Sequence, residues 1–190
     1  MKRWILVVLL LLAGCGQRPD WHLRNIEGLM PDLAFQLTDS QGRAVTADRF
    51  RGKISLLYFG YTHCPDVCPT TLSDLARALR RLGPDADQVR ILFVSVDPAR
   101  DKPGVLGRYA AAFGPQVRGL TGSQDALRQL TRRYRVSFGL GKPDTQGNYE
   151  VSHSSAVFVF DRRGRVRLLD TDSGDTEALV ADLRRLLKEG

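Results

Sequence analysis

Three stretches of the chain are apolar almost without a break: Ile54-Ser55-Leu56-Leu57-Tyr58-Phe59, Ile91-Leu92-Phe93-Val94-Ser95-Val96 and Ala156-Val157-Phe158-Val159-Phe160. Runs that do not alternate with polar residues suit strands covered on both faces, as in a parallel sheet flanked by helices. Between and after them, apolar positions recur at intervals of three and four. Leu72, Leu75, Ala76, Leu79 and Leu82 form one stripe; Val105, Leu106, Tyr109, Ala110 and Phe113 form a second; Ala126, Leu127, Leu130 and Tyr134 form a third, with Ser123 placed to cap it. A last amphipathic helix carries Leu179, Val180, Leu183, Leu186 and Leu187. Two places read as hairpins. Ala34-Phe35-Gln36-Leu37 runs into the turn Asp39-Ser40-Gln41-Gly42, and the third apolar run enters Asp161-Arg162-Arg163-Gly164 before Val166 and Leu168.

The resulting order is hairpin, β, α, β, α, short strand, α, β-hairpin, α. It predicts an α/β, thioredoxin-like fold over residues 32–190, with an N-terminal β-hairpin and a long loop insertion before the antiparallel strand. The insertion is rich in glycine and proline (Gly139, Gly141, Pro143, Gly147) and reads as an exposed loop. Length and composition agree with one domain. The 190 residues, 43% hydrophobic and 26% charged, exclude a disordered or collagen-like chain and a protein of many membrane spans.

The first residues stand apart. A basic start, Lys2-Arg3, precedes an apolar run from Trp4 to Ala13 that ends at Gly14-Cys15-Gly16. The run is too short for a transmembrane helix, which takes about 20 residues, and has the form of a secretory signal. Leu12-Ala13-Gly14-Cys15 resembles the lipobox of bacterial lipoproteins, which implies residues 1–14 as a cleaved signal peptide and Cys15 as the lipidated N-terminus. Polar residues 15–31 then read as a tether. The whole chain carries 28 Lys and Arg against 21 Asp and Glu, a charge of +7; loss of Lys2 and Arg3 leaves 26 against 21, or +5. The remaining basic residues include Arg77, Arg80, Arg81, Arg132, Arg133 and Arg135 on predicted helix surfaces. With no aromatic residues interleaved among them, they form a solvated face rather than a nucleic-acid site.

The chain has three cysteines, so with Cys15 taken up by lipidation Cys64 and Cys68 are the only thiols left in the exported domain. They lie in Tyr58-Phe59-Gly60-Tyr61-Thr62-His63-Cys64-Pro65-Asp66-Val67-Cys68-Pro69, between a buried strand and a helix. That is the carboxyl end of a strand, where open α/β sheets place their sites. Pro69 suits the first turn of the helix, whose N-terminus is expected to lower the pKa of a nearby thiol. Two thiols at i and i+4 can hold one soft metal ion, act in redox chemistry, or close a structural disulfide. The last would constrain the unfolded chain little across so short a loop.

Of the three histidines, His22 reads as a solvated tether residue and His63 as a neighbour able to tune Cys64. His153, in Val151-Ser152-His153-Ser154-Ser155, precedes the third apolar run. In thioredoxin topology that strand runs antiparallel to the first two, so its beginning shares the sheet edge of Cys64 and Cys68. Two thiolates and one imidazole form a soft, three-coordinate set suited to copper, Cu(I) or Cu(II), and lack the fourth ligand of a closed zinc site. Asp66 and Asp97 read either as electrostatic modifiers of the site or as cap and turn residues.

These residues resemble the Sco (SenC-like) copper-binding proteins. The resemblance rests on Tyr58 to Pro69, on Ser95-Val96-Asp97-Pro98-Ala99-Arg100-Asp101, and on His153-Ser154 before the strand that ends at Asp161. Lys102 stands where threonine is common in the family. The resemblance implies a thioredoxin-like fold, membrane attachment, and copper held by Cys64, Cys68 and His153. It also implies copper delivery to, or thiol reduction at, the dinuclear copper centre of a respiratory oxidase subunit. The expected place is the cell envelope, facing the periplasm, on a lipid anchor, with the oxidase subunit or its assembly factors as partners. A carrier is expected rather than an enzyme. The alternative is a thiol-disulfide oxidoreductase or peroxidase using Cys64 and Cys68, against which stand the three residues between the cysteines, where thioredoxins have two.

Overall fold

The computed structural model describes residues 20–141, 151–153 and 155–189, with side chains for all of these except Leu140 and residues 151–153. Its strands are β1 (Arg24–Asn25), β2 (Gln36–Asp39), β3 (Ala44–Thr46), β4 (Ile54–Gly60), β5 (Val89–Ser95), β6 (Val117–Thr121), β7 (Phe138–Leu140), β8 (Val151–His153), β9 (Val157–Phe160) and β10 (Val166–Asp170). The helices are α1 (Val67–Leu82), α2 (Pro103–Ala111), α3 (Gln124–Arg133) and α4 (Thr176–Lys188). Among the described residues, no helix is long and apolar enough to cross a membrane.

Eight strands form one mixed sheet in the order β1-β10-β9-β4-β5-β6-β2-β3. Strands β4, β5 and β6 are parallel, and β9 runs antiparallel beside β4. This is the thioredoxin-like α/β architecture read from the sequence. The three apolar runs are its interior: every residue of β4 and β9 is buried, as is all of β5 except Arg90.

Strand alternation sorts the aromatic residues onto two faces. Tyr58, Phe93, Tyr109 and Phe113 form a chain of ring contacts with centroids 6.0, 5.3 and 5.2 Å apart, which fixes α2 on the Tyr58 face. On the opposite face the Tyr134 ring, at the end of α3, meets Phe59, Phe158 and Phe160 at 6.3, 5.4 and 5.7 Å. The leucine stripe of α1 is buried, and α1 packs along α4. There the arginines read as solvated also bridge the helices: Arg77 donates to the Thr176 hydroxyl at 2.9 Å, and Arg81 pairs with Glu177.

Both expected hairpins form, each around an aspartate. The Asp39 carboxylate accepts from the Gln41 and Arg43 amides at the β2–β3 turn, and that of Asp161 from the Arg163 and Arg165 amides at the β9–β10 turn. Ser123 caps α3, its hydroxyl accepting from the Ala126 amide at 3.2 Å.

The structure differs from the sequence reading at two places. From Asp20 onward the segment read as a tether is docked on the domain. Arg24–Asn25 pairs with β10, the His22 and Leu23 amides donate to Asp182 at 3.2 and 2.8 Å, and Trp21 lies beneath the guanidinium groups of Arg167 and Arg185. Ile26 is buried in the core and Leu23 and Met30 pack against it, adding to the backbone hydrogen bonds and Trp21 that hold the segment. In the loop insertion, β7 and β8 form a separate two-stranded ladder, Phe138 opposite His153 and Leu140 opposite Val151. Residues 142–150 lie outside the described residues.

Candidate metal centre

Strand β4 ends at Gly60, and the chain reaches the start of α1 within seven residues. Gly60 is required by close approach: a Cβ at this position would stand 2.7 Å from the Cys68 Sγ and 2.7 Å from the Phe93 ring. The loop then places Cys64 half-buried at the rim and Cys68 fully buried in the first turn of α1. The thiols are unbridged, and the Cys68 amide donates to the Cys64 Sγ at 3.3 Å. The two sulfurs therefore belong to one site, one open to the surface and one against the core.

The expected lowering of the thiol pKa by the helix N-terminus is not what Cys68 experiences. Burial dominates and pushes the Cys68 thiol up to about 12, although the Tyr61 backbone and the Tyr58 hydroxyl pull in the opposite direction. Without a metal this thiol is a protonated, poor nucleophile at neutral pH. The surrounding phenols follow the same logic. Tyr58 and Tyr109 are both held above the usual tyrosine range, first by burial and then by negative charge at Cys68 and Cys64, with Asp101 adding to the effect on Tyr109. The Tyr109 hydroxyl is buried and has no hydrogen-bond partner among the described residues.

The segment from Ser95 to Asp101 closes the other side of the loop. Asp97 and Asp101 are both fully buried. Asp97 holds Arg100 through a 2.5 Å contact from Nε, and the Arg100 guanidinium lies 5.8 Å from the centre of the Tyr61 ring. Asp97 Oδ1 also accepts from the Arg100 amide at 3.4 Å, so Asp97 takes the turn role of its two expected readings while pairing with Arg100. Asp66 occupies the N-cap position of α1, yet its carboxylate takes the Thr70 hydroxyl at 3.2 Å instead of a backbone amide. Lys102 extends away to the Pro98 carbonyl.

His153 ends β8, and four residues later Val157 opens β9 opposite Tyr58 of β4. The expected antiparallel course is present, and it brings the backbone after His153 to the carboxyl end of β4. The His153 side chain, Ser154 and Cys15 lie outside the described residues. His22 is exposed, 4.0 Å from Asp182 and on the β10–α4 side. Among the described residues no three histidine, cysteine, aspartate or glutamate side chains converge as a metal-holding group. The sequence pattern gives Gly60, Tyr109 and Asp101 no part in the site, although Tyr109 stands in a helix stripe and Asp101 in a motif of the resemblance. A glycine closing an otherwise bulky strand, and the place of Asp101 in that motif, were the visible signals.

A mixed α/β sheet with a free dithiol at the carboxyl end of its central strand defines a thioredoxin-like dithiol protein. Residues 29–188 match the SCO1/SenC family, and the chain belongs to it. It is 37% identical over 181 residues to the mitochondrial SCO2 homolog of Mus musculus, covering 92% of this chain and 71% of that protein. The chain spans 58% to 71% of the length of the mammalian relatives it matches. Among solved structures, ScoI of Bradyrhizobium japonicum with copper bound superposes with a TM-score of 0.75 at 39% identity, covering 82% of this chain and 99% of that one. Apo Sco1 of Thermus thermophilus superposes with a TM-score of 0.77 at 39% identity, covering 91% and 99%.

Proposed function

We propose that this chain is a membrane-anchored copper carrier that serves assembly of the dinuclear copper centre of a respiratory oxidase. The observation that carries the reading is the pair of unbridged thiols, one rim-exposed and one buried, joined by the 3.3 Å contact from the Cys68 amide to the Cys64 Sγ. Soft sulfur donors fit copper, and family membership together with a copper-bound relative at 39% identity supports the choice of metal. Cys64 and Cys68 would bind as thiolates and His153 would complete the set. In this reading Cys15 carries the lipid and the domain faces the periplasm, with the oxidase subunit or its assembly factors as recipients.

Copper must displace the proton that burial holds on Cys68. Since that thiol remains protonated until about pH 12, raising the pH favours uptake. Apparent affinity is expected to rise by about tenfold per pH unit near neutrality from this proton alone. Titration of the reduced chain at pH 6, 7 and 8, with Cys64→Ala, Cys68→Ala and His153→Ala beside the parent, tests the assignment. One copper per chain, lost in the cysteine variants and weakened in His153→Ala, is expected. A parent that takes up no copper, or a His153→Ala protein indistinguishable from it, refutes the corresponding part. Acylation at Cys15 is read by mass spectrometry of the membrane fraction and its loss in Cys15→Ser.

The adjacency of two free thiols also favours a second reading, thiol-disulfide exchange at a partner. Metal-free catalytic reduction of a disulfide substrate by the parent would promote it.

A further inference from the structure

Asp101 is fully buried, and its carboxylate is committed to the loop that carries Cys64. Its Oδ2 accepts from the Thr62 amide at 2.8 Å and from the Ser95 hydroxyl at 2.5 Å; its Oδ1 accepts from the Thr62 hydroxyl at 2.5 Å. Both hydrogen-bonding groups of Thr62 that can donate therefore end on one carboxylate, two residues before Cys64. The Ser95 hydroxyl in turn accepts from the Asp97 amide at 3.1 Å, and Asp97 grips Arg100 over Tyr61. A continuous set of bonds thus runs from the end of β5 to both sides of the loop. Exposed His63 also faces Asp101, with Nδ1 at 3.6 Å.

Two ties at Cys64 itself are longer. The Cys64 amide reaches the Tyr61 carbonyl at 3.3 Å, and the Cys64 Sγ is met by the Cys68 amide at 3.3 Å; both lie within the loop and the helix it enters. Charge-assisted hydrogen bonds to a buried carboxylate are short and stronger than neutral ones, and the low dielectric strengthens them further. A carboxylate fully removed from water is retained here with three bonds from two residues, both adjoining the dithiol loop.

We infer that Asp101 is a positioning residue for the copper-binding thiols: through Thr62 it fixes the backbone leading into Cys64 and so sets the placement of the rim sulfur relative to Cys68. The inference rests on the copper reading above. Removal of groups that orient a metal ligand commonly lowers affinity by 10- to 100-fold.

The test compares the full chain with Asp101→Asn, Thr62→Val and Thr62→Ser. Copper is the probe, read by competition with a chelator and by the visible and electron paramagnetic resonance spectra of the Cu(II) form. Independently of copper, the rate at which a small thiol reagent modifies Cys64 is followed by mass mapping. Asp101→Asn is expected to lose about tenfold in copper affinity, to shift the Cu(II) spectrum and to speed Cys64 modification several-fold. Thr62→Val, which keeps the amide bond but removes the hydroxyl with its bond to Asp101 and its 3.2 Å contact to His63 Nδ1, is expected to move all three readouts in the same direction but less, and Thr62→Ser to retain the parent values. If Asp101→Asn fails to fold, Thr62→Val decides. Parent-like affinity, spectrum and thiol reactivity in Thr62→Val and in any folded Asp101→Asn overturn the positioning role while leaving the copper reading intact. A parent without copper uptake overturns both.

Discussion

Asp101 and Asp170 stand on the same edge of the sheet, one beyond the end of β5 and one at the end of β10, and both are buried. Their surroundings differ. Asp101 accepts three hydrogen bonds, whereas Asp170 accepts the Asp172 amide at Oδ1 and its Oδ2 has no partner among the described residues. The Asp170 carboxyl is pushed up to about 6, chiefly by burial, against the pull of the Asp172 amide, and the carboxylates of Asp172, Asp175 and Asp74 add to the rise. Removing a carboxylate from water costs much the same at either place, so what separates them is the supply of donors. At Asp101 those donors belong to the segments that frame the dithiol.

The sharpest way to break the comparison is to delete each carboxylate. Asp101→Ala leaves the Thr62 amide and the Ser95 hydroxyl without their acceptor and is expected to cost about 3 kcal/mol in denaturant unfolding at pH 7. Equal losses in Asp101→Ala and Asp170→Ala would remove the distinction. Next in size is Gly60→Ala, whose added methyl would press on the Cys68 Sγ and on Phe93; about 2 kcal/mol of destabilisation is expected, with altered thiol accessibility as a second readout.

The smallest effect has the opposite sign. A folded pKa raised from 3.8 to about 6 means that the fold resists ionising Asp170. Below about pH 4 the group is protonated whether the chain is folded or not, and no stability is lost. The cost accumulates as pH rises through 4 to 6 and is complete above it. Asp170→Asn is therefore expected to raise stability at pH 7 by about 1 kcal/mol, part of the roughly 3 kcal/mol that two pKa units represent, and to change little at pH 4. Thermal unfolding at the two pH values checks both the sign and the window.

Much of this architecture was legible in the chain itself. Continuous apolar runs located β4, β5 and β9; periods of three and four located the helices; and Asp-to-Gly turns located both hairpins. Cys64 and Cys68 followed from their place between strand and helix. Other features depend on what folding brings together. Thr62 and Ser95 find Asp101 only when the ends of β4 and β5 lie side by side, and no local pattern announces that pairing. The expected lowering of a thiol pKa near the helix terminus does not hold at Cys68, because burial there outweighs the terminus. The docking of residues 20–31 escaped because its apolar anchors, Trp21, Leu23, Ile26 and Met30, are scattered among polar residues, and main-chain hydrogen bonds are blind to residue type.

The sheet ends on β1, two residues long, and on β3, three residues long. Strands so short offer little ladder for another chain to extend, which protects an eight-stranded sheet from edge-to-edge association. They also restrict how a partner can engage the molecule. Beside the dithiol the molecule presents side chains rather than open backbone, with the Cys64 sulfur half-buried at the rim and Cys68 beneath it.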